Sequence, residues 1–181
     1  MINWNTRLED ARDFGRMAHF GQVRKYTGEP YHVHPEAVAD TVSNYIQDED
    51  VLIAALGHDI KEDTKVTVSE ISSRFGARVL SIILELTDVY TRENFPTMKR
   101  FMRKQYEAER LAEISFEAKT IKLADLQNNI YSIVEHDPEF AIVYLKEKAE
   151  AMKYLVGGHP TLYGIVEKQL IENLDKLNII I

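Results

Sequence analysis

The chain has 181 residues, 45% hydrophobic and 28% charged, which suits one domain with a sizeable core. It contains no cysteine, and this excludes disulfides, thiolate metal sites and a cysteine nucleophile. A formal net charge of −7 argues against non-specific binding to nucleic acid, and no apolar stretch is long enough to span a bilayer. The start, "MINWNTRLEDARDFGR", lacks the apolar core of a signal peptide, so a cytoplasmic protein is expected.

Helical periodicity runs through almost the whole sequence, while strict alternation is scarce and Gly and Pro act as punctuation. The pattern predicts helices at about 6–20, 35–47, 50–63, 68–75, 76–88, 95–109, 113–136, 139–157 and 160–177. Pro35 follows His34 and suits the first turn of a helix. "TVSE" at 67–70 fits a capping box, with Thr67 as cap and Glu70 reaching back. "HDPE" at 136–139 and "GGHP" at 157–160 each mark a break before a new helix. There is no internal repeat, low-complexity tract or linker, so the expectation is an all-α fold, one compact domain over residues 1–181. The tail "LNIII" hints at an interface-forming end, and hence at a homo-oligomer.

"VLIAALGHDIKEDT" at 51–64 concentrates the chemistry. On a continuous helical wheel Ile53, Leu56 and Ile60 face the core. His58 stacks on Glu62 and Asp59 on Asp63, all within an arc of roughly 140° on the other side. Most charge runs are solvated helix faces, but such faces mix Lys with Glu, and here Lys61 alone interrupts the acids. Imidazole and carboxylate together suit Mn, Fe or Zn. Two more segments point the same way. "GEPYHVHP" at 28–35 is a turn-rich loop with two histidines, and "TIKLADLQNNI" at 120–130 sets Asp125 among apolar residues, where an unpaired carboxylate is costly.

His34, "HD" at 58–59 and Asp125 follow the H…HD…D order of the HD-domain metal-dependent phosphohydrolases, which the chain resembles. The resemblance is closer to the hydrolase domain of RelA/SpoT proteins and the small alarmone hydrolases, including the metazoan SpoT homologue. It is carried by "AHFGQVRKYTGEPYHVHP", "AALGHDIKEDT", "FGARVLSIILELTD" and "KLADLQNN", over most of residues 11–130. It implies a compact HD-domain helical fold and one divalent cation, usually Mn2+, held by His34, His58, Asp59 and Asp125. Glu62 and Asp63 match the family's acidic pair, which orients and deprotonates the attacking water. Arg24 and Lys25 match the family's "RK" beside the purine. Lys122 and Asn129 flank the metal aspartate on one stripe and are expected at nucleotide phosphate or ribose, with Tyr31 lining the same pocket. "HP" selects His34 over His32 as ligand, and His19 is expected to pack or to support the site. His136 and His159 read as surface or capping residues, and "KRFMRKQ" at 99–105 as a solvated basic face.

The resemblance thus implies metal-dependent removal of the 3′-pyrophosphate of guanosine tetra- or pentaphosphate, giving GDP or GTP, with a small nucleotide as partner. Two other readings stay open: the same site acting on another nucleotide, such as the NADPH 2′-phosphate or a nucleoside monophosphate, and a non-catalytic nucleotide-binding module. The chain departs from the family at "IK" between HD and ED, at Gly57 in place of a usual leucine, and at "LQNN", which lacks a basic residue after Asp125. These departures bear on specificity more than on the metal core. No synthetase domain is expected after Ile181.

Overall fold

The computed structural model describes Ile2 and residues 4–179; Ile180 and Ile181 of the apolar tail lie outside the described residues. The chain divides into two compact units, Met1–Thr87 and Asp88–Ile181. The fold is all-α, as the periodicity predicts. Its helices are α1 (Thr6–Ala18), α2 (Val33–Ser43), α3 (Glu49–Leu56), α4 (Ile60–Asp63), α5 (Val68–Phe75) and α6 (Ala77–Leu86) in the first unit. The second holds α7 (Arg100–Arg110), α8 (Phe116–His136), α9 (Pro138–Met152) and α10 (Pro160–Lys176). No helix of the described residues is long and apolar enough to cross a membrane.

In the N-terminal unit α3 is the central helix, because "VLIAAL" is apolar on every side and packs against α1, α2 and α6. Asp48 starts it by accepting from the N–H groups of Asp50 and Val51. The capping box at the start of α5 forms as expected, with Thr67 N–H donating to Glu70 Oε2 at 2.8 Å and Glu70 N–H to Thr67 Oγ1 at 3.2 Å. Gly76, at φ +94°, turns the chain from α5 into α6, a conformation that a side chain would strain. In the C-terminal unit α8 supplies the core with Ile121, Leu123, Ala124, Leu126 and Ile130 and packs against α9 and α10. Asp137 caps α9, with Pro138 at its start, and His159 precedes Pro160 at the start of α10.

One sequence expectation fails in a way that matters. The helix predicted over 50–63 breaks: α3 ends at Leu56, a turn covers 57–59, and α4 is a separate short helix. Ile53, Leu56 and Ile60 are buried as expected, but His58 is only 2% exposed, not on a solvent-facing arc. At Gly57 a Cβ would stand 3.1 Å from Ile83 Cδ1, so the glycine lets the turn press against α6. The predicted 95–109 helix starts later, at Arg100, and the 139–157 helix stops at Met152.

Candidate metal centre

The loop between α1 and α2 brings the first donors to the site. An antiparallel bridge between Val23 and Pro30 closes it, with Arg24 N–H donating to Glu29 O at 2.8 Å and Tyr31 N–H to Gln22 O at 3.0 Å. Gly28, at φ +72°, makes the turn. This delivers Tyr31 and then His34, at the start of α2, toward the end of α3. Arg24 is half-buried and Lys25 exposed on the same loop, with the Lys25 ammonium 3.0 Å from the Tyr26 hydroxyl and over its ring.

His34, His58 and Asp59 place one ligand atom each within 4.8 Å of one another. Asp59 Oδ2 lies 3.1 Å from His58 Nε2 and 3.6 Å from His34 Nε2, and the two rings are 5.2 Å apart. Both histidines are buried, at 3% and 2% exposure. The His58 Nδ1 faces the Ala55 carbonyl at 2.9 Å. A carbonyl only accepts, so Nδ1 carries a proton, and in the neutral ring the lone pair of Nε2 faces Asp59. A neutral imidazole nitrogen and a carboxylate oxygen at that distance repel unless a proton or cation lies between them. Two imidazoles and a carboxylate are a suitable donor set for Mn, Fe or Zn, so these residues fit a divalent ion.

The Tyr31 hydroxyl donates to Asp59 Oδ2 at 2.8 Å, and its ring lies 4.8 Å from His19 and 6.0 Å from His34. Burial, then the charges of Asp59 and Asp63, raise the phenol far above its ordinary range and keep it a donor. The tyrosine read from sequence as a pocket-lining residue thus has a hydrogen bond that orients the Asp59 carboxylate of the candidate cluster. His19 is 2% exposed and its Nδ1 meets Gln22 Oε1 at 2.8 Å, while Gln22 Nε2 donates to the Asp63 carbonyl at 2.7 Å. Gln22 was not singled out from the sequence, although it stands in the "AHFGQVRK" stretch that carries the family resemblance.

Glu62 and Asp63 are exposed on α4. Although the residue is exposed as a whole, partial desolvation of the Asp63 carboxyl, then the nearby Asp59, raise its proton affinity, against the opposing effects of Tyr31, His19 and His58. Thr64 closes this helix end, with Oγ1 donating to Ile60 O at 2.6 Å and accepting from Val66 N–H, so Asp63 is not needed as a cap. His32 stays out of the cluster: its Nδ1 lies 2.9 Å from Glu36, which also binds Arg16.

In the C-terminal unit the stripe on α8 forms as the spacing predicts. Asp125, 8% exposed, is 3.2 Å from Lys122 Nζ through Oδ2 and takes Asn129 Nδ2 at 2.6 Å on Oδ1. His136 bonds through Nδ1 to the Ser132 carbonyl of its own helix, and the His159 N–H donates to Thr120 Oγ1.

The HD domain family matches residues 11–155. The guanosine-3′,5′-bis(diphosphate) 3′-pyrophosphohydrolase MESH1 of Homo sapiens is 37% identical over 136 residues, covering 74% of this chain and 73% of that protein. Its counterpart in Mus musculus is 34% identical over 174 residues, covering 92% and 93%. A solved structure of a metazoan orthologue of SpoT, described as hydrolysing ppGpp, superposes with a TM-score of 0.82 at 26% identity, over 99% of this chain and all of the other. With matches over most of its length and a cluster of two buried histidines and a half-buried aspartate, the chain belongs to the HD-domain family, in the branch of the metazoan SpoT homologue.

Proposed function

We propose that the chain is a metal-dependent guanosine-3′,5′-bis(diphosphate) 3′-pyrophosphohydrolase working as one HD domain over residues 1–181. The observation that carries this reading is the His34–His58–Asp59 cluster, its two histidines buried, in a chain 37% identical over 136 residues to a relative bearing that name. Asp125 is the fourth ligand in this reading, and Mn2+ the ion. Its carboxylate is buried on an apolar helix and already oriented by Lys122 and Asn129. A bound divalent ion supplies Lewis acidity toward phosphate oxygens and makes water more acidic.

The protein's own groups do the rest. Tyr31 fixes the Asp59 carboxylate, and the Ala55 carbonyl fixes the His58 ring. Glu62 and Asp63, on α4 directly after His58 and Asp59, act as a pair that takes the proton of the attacking water. Water adds to the phosphorus nearest the ribose, the bond to the 3′ oxygen breaks, and that oxygen receives a proton. The products are GDP and pyrophosphate, or GTP and pyrophosphate from the pentaphosphate. Arg24 and Lys25 hold the base and Lys122 and Asn129 the phosphate or ribose; a guanidinium suits stacking on a purine.

The substrate is thus a small nucleotide, the setting cytoplasmic, and nucleic acid no partner, in keeping with the net charge of −7. A homo-oligomer is proposed from the apolar tail alone. Purified protein with manganese should release pyrophosphate from guanosine tetraphosphate, and chelation should stop it. In a nucleotide panel at fixed metal concentration, NADPH and nucleoside monophosphates should turn over more slowly. Undiminished release by Asp59→Ala would contradict the scheme.

A further inference from the structure

Three lysines from three helices of the C-terminal unit crowd one carboxylate. Lys104 on α7 donates to Asp88 Oδ2 at 2.9 Å. Burial by itself would raise the Asp88 carboxyl, but Lys122 on α8, Lys104 and Lys148 on α9 outweigh it and hold it below the ordinary carboxylate range. These four residues line one narrow cavity with Glu107 and Glu147.

The two glutamates are engaged elsewhere. Glu107 takes Arg110 Nε at 2.6 Å and the N–H groups of Val89 and Tyr90 at 2.8 and 2.9 Å. Glu147 is held by two bonds from Arg100, at 2.8 and 2.9 Å. Lys122 divides its charge between Asp88 and Asp125. Lys148 is the surplus cation: its ammonium lies over the Tyr144 ring at 5.2 Å, and among the described residues no carboxylate stands within ion-pair distance of it. Burial, then Lys122 and Lys104, push its pKa down to about 8. Three ammonium groups against Asp88 and Asp125 leave one net positive charge, a local reversal in a chain whose total is −7.

We propose that Lys104, Lys122 and Lys148, gathered around Asp88, form a binding site for a diphosphate anion, with Lys148 supplying the charge that makes it net positive. Ammonium groups on flexible stems serve as point charges for phosphate oxygens. The cavity, about 30 Å³, has room for about two waters, so only terminal phosphate oxygens enter it, the phosphorus atoms stay at its mouth, and a base or ribose is excluded. Two sources share this chemistry: the 5′-diphosphate of the nucleotide and the pyrophosphate released from it. Only that choice of sources rests on the proposed function.

The test is calorimetric titration of the full chain with inorganic pyrophosphate in the presence of a chelator. Lys148→Met should weaken binding by about tenfold or more, the loss of one charge-assisted contact. Lys148→Arg should stay near wild type, as should Lys168→Met, which removes an exposed lysine on α10. Should Lys148→Met fold poorly by circular dichroism, Lys148→Gln makes the same comparison. Equal affinity in the charge-removing variant and wild type overturns the site, whatever the enzyme's activity. The kinetic arm separates the sources. A KM raised for guanosine tetraphosphate, but not for guanosine 3′-diphosphate with a free 5′-hydroxyl, assigns the site to the 5′-diphosphate. Equal kinetics on both, with weakened inhibition by pyrophosphate, assign it to the product.

Discussion

Tyr31→Phe removes one hydroxyl at the proposed metal centre, the donor to Asp59 that also interacts with Asp63. The phenyl ring keeps its contacts with His19 and His34 and loses only the hydroxyl that donates to Asp59 Oδ2 at 2.8 Å. A hydrogen bond to a charged acceptor contributes about 1.5–3 kcal/mol, and loss of a group that orients a ligand costs about 10–100-fold in metal affinity. With the ring retained and the carboxylate partly open to water, the lower end applies, about tenfold. Manganese titration followed by calorimetry or electron paramagnetic resonance measures it without turnover. Weaker binding, with a folded-state circular dichroism spectrum unchanged, is the expected result. An unchanged dissociation constant would mean that the Tyr31–Asp59 bond does not shape the ion site.

Gly158→Ala should destabilise the protein by about 1–3 kcal/mol in urea unfolding, because a Cβ there would stand 2.8 Å from Leu123 Cδ1 and 3.2 Å from Lys119 Cβ. An unchanged midpoint would show that α8 yields at no cost. Thr67→Ala removes the capping box of α5 and should cost about 1 kcal/mol in the same measurement. Lys148 gives a pH dependence with a definite sign. Its folded pKa of about 8 lies below the ordinary lysine value, so between the two the unfolded chain binds the extra proton and wild-type stability rises with pH. Lys148→Met lacks that rise; the wild type should gain on it from about pH 8 to pH 10.4, and a flat difference would contradict the lowered pKa.

The local chemistry was legible, and the tertiary consequences were not. Thr67 with Glu70, Asp137 before Pro138 and the apolar α3 are statements about neighbours in sequence, and they hold in the fold. The order His34, His58–Asp59, Asp125 was read from family likeness, and the first three do converge. The wheel failed at Gly57 because it treated 50–63 as one helix, whereas the close approach of Ile83, twenty-six residues on, favours a turn there. That turn buries His58. The Tyr31 bond to Asp59 spans 28 positions, and no periodicity announces it. Nothing in the sequence singles out Lys148, since its significance depends on Lys104, Lys122 and Asp88 from other segments.

The most direct measurement is anomalous diffraction at the manganese edge from crystals grown with manganese and a non-hydrolysable guanosine 3′-diphosphate analogue. One anomalous peak held jointly by His34, His58, Asp59 and Asp125, with the 3′-diphosphate on its open side, is the expected result. A peak elsewhere, or a bound ion with Asp125 turned away from it, would contradict the proposed centre.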